Sequence, residues 1–152
     1  MEKTKKVLIP RDFLTSVITS SKMVDRISYL LSQELSGLKN HAKNNKELLA
    51  FLNVRIDSKV GIIHKLVGNL HRTAPTTLRD PNYVQIRQVL KIVRAIKTEA
   101  LSLRTEVNTP LLANGKGMYF RTIVTDLLKH LDVAEARSKI AVGYADALPK
   151  QS

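Results

Sequence analysis

Apolar residues return every three or four positions along most of this chain, and the longest such run lies between Val24 and Leu70. It reads Val24, Ile27, Leu31, Leu35, Leu38 and Ala42, then Leu49, Leu52, Ile56, Val60, Ile63, Val67 and Leu70. The mean step is about 3.5 residues, the heptad seam of long packed helices. No proline interrupts the run, so the spacing predicts helix from about Arg11 to His71, weakest at Gly37 and in the polar stretch 40–45. Unbroken, that helix would be roughly 90 Å long at about 1.5 Å per residue. Such a rod cannot cover its own stripe, so the remaining chain or another protein must lie along it.

The flanking segments extend the pattern. Val7-Leu8-Ile9-Pro10 is a short apolar lead-in, and Phe13, Val17, Ile18 and Ser21 continue the inner face. Asn44 or Asn45 can cap a new helix if the rod breaks there. Gly61 and Gly68 sit seven apart on one face, each costing about 1 kcal/mol against Ala in a helix interior, and they predict the close approach of a neighbouring helix. Two prolines within 73–81 predict a loop, with Asp80-Pro81 starting the next helix. That helix carries Tyr83, Ile86, Leu90, Val93, Ile96, Ala100, Leu103 and Val107, and is long enough to run antiparallel along the second half of the first rod. Thr109-Pro110 kinks or ends it, and Asn114-Gly115-Lys116-Gly117 is a second break. A last helix uses Tyr119 or Phe120, Ile123, Val124, Leu127, Leu128, Leu131 and Ala134, fraying within 138–143 ahead of a flexible tail over 144–152. The expected fold is all-α and a single domain over 1–152: a long antiparallel helical hairpin extended into an up-and-down bundle.

Composition bears more on function than on fold. A hydrophobic content of 43% suits a globular domain with a real core. The chain has no Cys, which removes disulfides, thiolate catalysis and Cys-ligated zinc. Residues 1–6 lack the apolar stretch of a signal peptide, and no window is apolar enough to span a bilayer, so a soluble cytoplasmic protein is expected. The abnormal total is the net charge of +12. Residues 1–72 hold 13 basic and 6 acidic side chains, and residues 73–152 hold 12 and 7, so the excess is spread evenly. Only Lys3, Lys5 and Lys6 cluster, although folding can gather scattered charges onto one face.

Candidates for chemistry are few. His41, His64, His71 and His130 form no HExxH pair, and no carboxylate stands at ligand spacing from His64 and His71, so no metal is expected. His64-Lys65-Leu66-Val67-Gly68 approximates the His-x-Leu-Lys-Gly motif of histidine phosphotransfer bundles, but Val67 stands where that motif offers a cation to the phosphoryl oxygens. The acids Glu34, Glu47, Asp57, Glu99, Glu106 and Asp126 are isolated, and Gly115-Lys116-Gly117 lacks the spacing of a phosphate loop. Neither catalysis nor a cofactor is expected. Arg87, Lys91, Arg94, Lys97 and Arg104 form a basic stripe that can meet nucleic-acid phosphates, without the aromatic interleaving that stacks bases.

Two stretches carry a resemblance. Leu30-Leu31-Ser32-Gln33-Glu34-Leu35-Ser36-Gly37-Leu38, a polar gap, and Glu47-Leu48-Leu49-Ala50-Phe51-Leu52 are similar to the paired Leu-rich helices of FlgN-type flagellar export chaperones. Leu103-Arg104-Thr105-Glu106-Val107-Asn108-Thr109-Pro110-Leu111-Leu112 resembles that family's helix in which an Asn precedes two leucines, and Tyr144-Ala145-Asp146-Ala147 its tail. The resemblance implies a cytoplasmic chaperone that binds the C-terminal helices of hook-associated subunits, keeps them unpolymerised and delivers them to the export apparatus. It places the cargo surface on the C-terminal helix and gives the tail tyrosine to the export gate.

Physical reasoning reaches a similar role. The paired leucines Leu111-Leu112 and Leu127-Leu128 give the later segments a wider apolar face than one seam needs, which suits either a wide core, an oligomer interface or a partner helix. The expected partner-binding residues are Leu111, Leu112, Ile123, Val124, Leu127, Leu128, Leu131 and Tyr144. The expected function is a helix-binding export chaperone or adaptor; the alternatives are a basic helical nucleic-acid-binding protein and a phosphotransfer bundle using His64.

Overall fold

The structure, a computed structural model, describes residues 9–79 and 83–147. The expected start of the third segment at Asp80-Pro81, most of the lead-in and the last five residues lie outside them. The protein is an all-α bundle. Its elements are α1 (Arg11–His41), α2 (Lys46–Phe51), a π-helical turn over Leu52–Ile56, α3 (Asp57–Thr73), α4 (Thr76–Arg79), α5 (Tyr83–Val107), a 3-10 turn over Pro110–Leu112, and α6 (Gly115–Ala147).

The rod does not run unbroken to His71. It folds back at residues 42–45, where Asn45 leaves helical geometry and its side chain accepts a hydrogen bond from the Leu48 amide at 3.1 Å. Covering the stripe is the reason. Folded at 42–45, the two halves of the seam face each other, with Leu31, Leu35 and Leu38 of α1 and Val60, Ile63 and Val67 of α3 all buried. The antiparallel pairing is tied by Lys39 Nζ, 2.8 Å from Asp57 Oδ1, and at its other end His71 of α3 stands beside Asp25 of α1, with Nδ1 3.9 Å from Oδ2. Gly37, by contrast, stays helical.

The other long helices complete a four-membered ring. α1 packs against α3 and α6, and α5 packs against α3 and α6, so each of these four long helices has two antiparallel neighbours. The seams named from spacing are its core: Ile86, Val93, Ile96, Ala100 and Leu103 of α5, and Phe120, Ile123, Val124, Leu127 and Leu131 of α6, are each at most 2% exposed. Phe120 fills the core while Tyr119 points out. Val89 and Ile92 are buried as well, because α5 lies between two neighbours and needs a face wider than one heptad seam.

Several local features differ from the expectation for physical reasons. Residues 73–79 hold a short helical turn instead of an open loop, stapled by Thr76 and Thr77 hydroxyls donating to the Thr73 and Ala74 carbonyls at 2.6 and 2.7 Å. Gly61 and Gly68 admit no neighbouring helix; a methyl at Gly61 would meet nothing within 4 Å and one at Gly68 only Arg72. The close approach is at Gly117, where an added Cβ would stand 2.7 Å from Leu112 Cα. There the 3-10 turn, capped by Thr109, folds back over the start of α6, and Gly115 takes φ +54° to make the corner. The last helix does not fray at 138–143 but continues to Ala147. Ser138, Ala141 and Val142 are buried, and Phe13 meets the Tyr144 ring edge-on with centroids 5.5 Å apart. Among the described residues no helix is long and apolar enough to cross a membrane.

Two substitutions test this packing. Gly117→Ala drives a methyl into backbone that cannot give way, and should cost about 1–3 kcal/mol, read as a fall of roughly 2–4 °C in Tm per kcal/mol at this size. Ser138→Ala should leave Tm unchanged or raise it, because the Ser138 hydroxyl is buried with no hydrogen-bond partner among the described residues and its removal ends a desolvation cost.

Candidate interaction surfaces

The structure separates the expected partner residues into two groups. Leu112, Ile123, Val124, Leu127, Leu128 and Leu131 are buried, and Leu111 is half-buried. They cover the other helices, so a partner reaches them only by displacing part of the bundle. Tyr144 is different: it is 37% exposed, at the edge of α6 where its ring meets Phe13 of α1.

It is not alone there. Val133, Ala136, Ile140 and Tyr144 recur at steps of three and four, which keeps them within about a quarter of the helix circumference. All four are exposed, Ile140 to 58% and Val133 to 42%. The core face of the same stretch is a separate seam, Ala134, Ser138 and Ala141. The last third of α6 therefore carries a second apolar strip, centred about 120° around the helix from its core seam. Lys129 and Asp126 end the outer strip toward the N-terminus, and Phe13, half-buried against Tyr144, extends it onto α1. Arg137 fastens that edge by donating to the Ser16 carbonyl at 3.2 Å and to Ser20 Oγ at 2.7 Å. Spacing alone could have revealed Val133 and Ile140, since they form a second seam offset from the first; reading one seam per helix passed over them.

The basic stripe on α5 is largely spoken for at its centre. Lys97 Nζ lies 2.9 Å from both Asp132 Oδ1 and Glu135 Oε1, and Arg94 Nε lies 3.1 Å from Glu135 Oε2. Four charges from two helices thus cancel across the α5–α6 seam. Arg104, one of the stripe's ends, keeps no such partner among the described residues. It lines a groove of about 400 Å³ with Thr105, Val107, Asn108, Arg121 and Thr125.

His64 is exposed in the shallow cleft between α1 and α3, beside Ser32, Ser36, Gly61 and Lys39. Lys39 is committed to Asp57. Val67 is 1% exposed, so the position where a phosphotransfer motif carries its cation is a core residue here. Among the described residues no three His, Asp or Glu side chains gather into a group that could hold a metal ion.

The α5–α6 network has a definite pH signature. Hydrogen bonding from Lys97, and then from Arg94, holds the Glu135 carboxyl below its ordinary range despite burial. Its contribution to stability is therefore complete above the usual carboxylate value of about 4.3 and is lost as pH falls through the lower folded value. Hydrogen bonding to Asp132 and then Glu135 holds the Lys97 ammonium above its ordinary range, so its contribution is complete below about 10.4 and is lost as pH rises through the raised value. Glu135→Gln should cost on the order of 1 kcal/mol at neutral pH. The gap from the parent should stay flat between about pH 6 and 9 and close below about pH 4, as measured by urea unfolding across pH.

No family model, curated protein or solved structure matches the chain, so its function must be read from these surfaces.

Proposed function

We propose that this chain is a non-catalytic helix-binding adaptor of the export-chaperone kind, and that its cargo lies along the outer strip Val133, Ala136, Ile140 and Tyr144. The observation that carries the reading is the second apolar strip on the last third of α6. A soluble helix needs one covered face; a second apolar strip in water favours a partner. Its length, about 16 Å from Val133 to Tyr144 at 1.5 Å per residue, matches three turns of an amphipathic helix presenting residues at i, i+4, i+7 and i+11.

The resemblance to FlgN-type chaperones supports the same end of the molecule, since it assigns cargo to the C-terminal helix and a role to the tail tyrosine. It makes C-terminal helices of hook-associated subunits the cargo to test first. The proposal moves the contact from the inner leucines to the outer strip, because the inner leucines already hold the bundle. The net charge of +12 favours a cargo with acidic flanks through faster encounter.

Fluorescently labelled C-terminal peptides of hook-associated subunits should bind the full chain saturably. Ile140→Asp should weaken that binding at least about tenfold, the usual cost of losing a central interface anchor, while Tm stays within about 2 °C because the side chain is exposed. Equal affinity in the parent and Ile140→Asp would remove the strip from the function.

A further inference from the structure

We propose that the groove between the last turn of α5 and the second turn of α6 is an anion site that takes a single phosphoryl group, held between Arg104 and Arg121. The groove opens at the end of the bundle opposite the Phe13–Tyr144 contact, and it is independent of the apolar strip.

Two cations from two helices line one cleft of about 400 Å³, and among the described residues no carboxylate pairs with either. Among the described residues the Arg121 guanidinium makes one polar contact, a weak one, donating to Asn108 Oδ1 at 3.3 Å. That contact uses the Asn108 oxygen and turns its amide NH₂ to other acceptors. Elsewhere on the same seam the protein matches its charges: Lys97 and Arg94 meet Asp132 and Glu135. The unmatched pair stands out against that practice. Like charges in one cleft repel, and an anion between them relieves the repulsion.

Helix dipoles account for only half of the arrangement. Arg104 lies in the last turn of α5, where a cation complements the free carbonyls. Arg121 stands in the second turn of α6, beyond the reach of the dipole at that helix's start, so the dipole gives it no partner; Lys116 precedes it, and no acidic residue occupies the first turn. An anion in this groove satisfies both guanidinium groups together.

The chemistry selects phosphate over carboxylate and over a nucleic-acid backbone. Guanidinium groups bind phosphate oxygens in pairs of parallel hydrogen bonds, and a phosphomonoester near pH 7 carries about −1.5 to −2, which balances two arginines where a carboxylate would balance one. A polymer needs a track of free cations. Here the track stops within about two turns, because Lys97 and Arg94 are already neutralised. Glu106 and Asp126, the nearest acids in sequence, are half-buried on other faces of their helices.

The test is NMR titration of the full chain with sodium phosphate at constant ionic strength, with sodium chloride as control, observing the arginine Nε–Hε signals and the Asn108 side-chain amide. The expected result is saturable shifts at Arg104, Arg121 and Asn108, weakened at least about tenfold by Arg104→Gln or by Arg121→Gln and absent in the double variant, with Tm unchanged. Glycerol 3-phosphate binding more tightly than phosphate would identify a phosphorylated metabolite as the ligand type, and equal binding would identify free phosphate. Shifts no larger than with chloride, or unchanged binding in the double variant, overturn the site. Duplex DNA binding that depends on these arginines, without any response to phosphate, overturns it too, in favour of a nucleic-acid contact.

Discussion

The structure depends on one requirement: an apolar seam running through almost the whole chain has to be kept from water by the chain itself. An amphipathic helix draws most of its stability from packing its apolar face against a neighbour rather than from propensity. Four such helices arranged in a ring cover each other's stripes at once. The fold at residues 42–45 follows from the same requirement, because an unbroken rod would leave half of its seam uncovered. Turn chemistry then decides where the fold occurs. Asn45 can stop one helix and cap the next, whereas Gly37, with open space around it, stays in the helix.

Charge plays a second, weaker part. Despite the net charge of +12, acids are placed where two helices meet: Asp57 beside Lys39, and Asp132 and Glu135 beside Lys97 and Arg94. Pairs of this kind add little stability singly. They do bias which helix faces which, since an alternative pairing would leave charges opposed. The remaining basic residues among those described are spread around the exterior rather than gathered into one patch.

Much of the fold was legible in the sequence because burial has a period. Nearly every residue assigned to a seam by spacing is buried, from Val24 through Leu131. What was not legible required knowledge of neighbours. Gly61 and Gly68 looked like contact glycines on spacing alone, yet the close approach fell at Gly117, where a turn distant from any seam folds over a helix start. The persistence of α6 to Ala147 depends on Phe13 and on the α1 partner, neither of which periodicity can supply. The proposed surfaces were legible in part. Tyr144 and Arg104 could be singled out beforehand, but the outer strip and the partnership of Arg104 with Arg121 appear only once helices are placed side by side.

The connection before α6 has a consequence for assembly. α6 closes the ring between α1 and α5, and it is joined to α5 by only the seven residues 108–114. If α6 swings out about that hinge, it uncovers a cleft shaped for one helix of its own sequence, and the α6 of a second molecule fills that cleft with the same contacts. Exchange of an identical element is a low-cost route to a dimer.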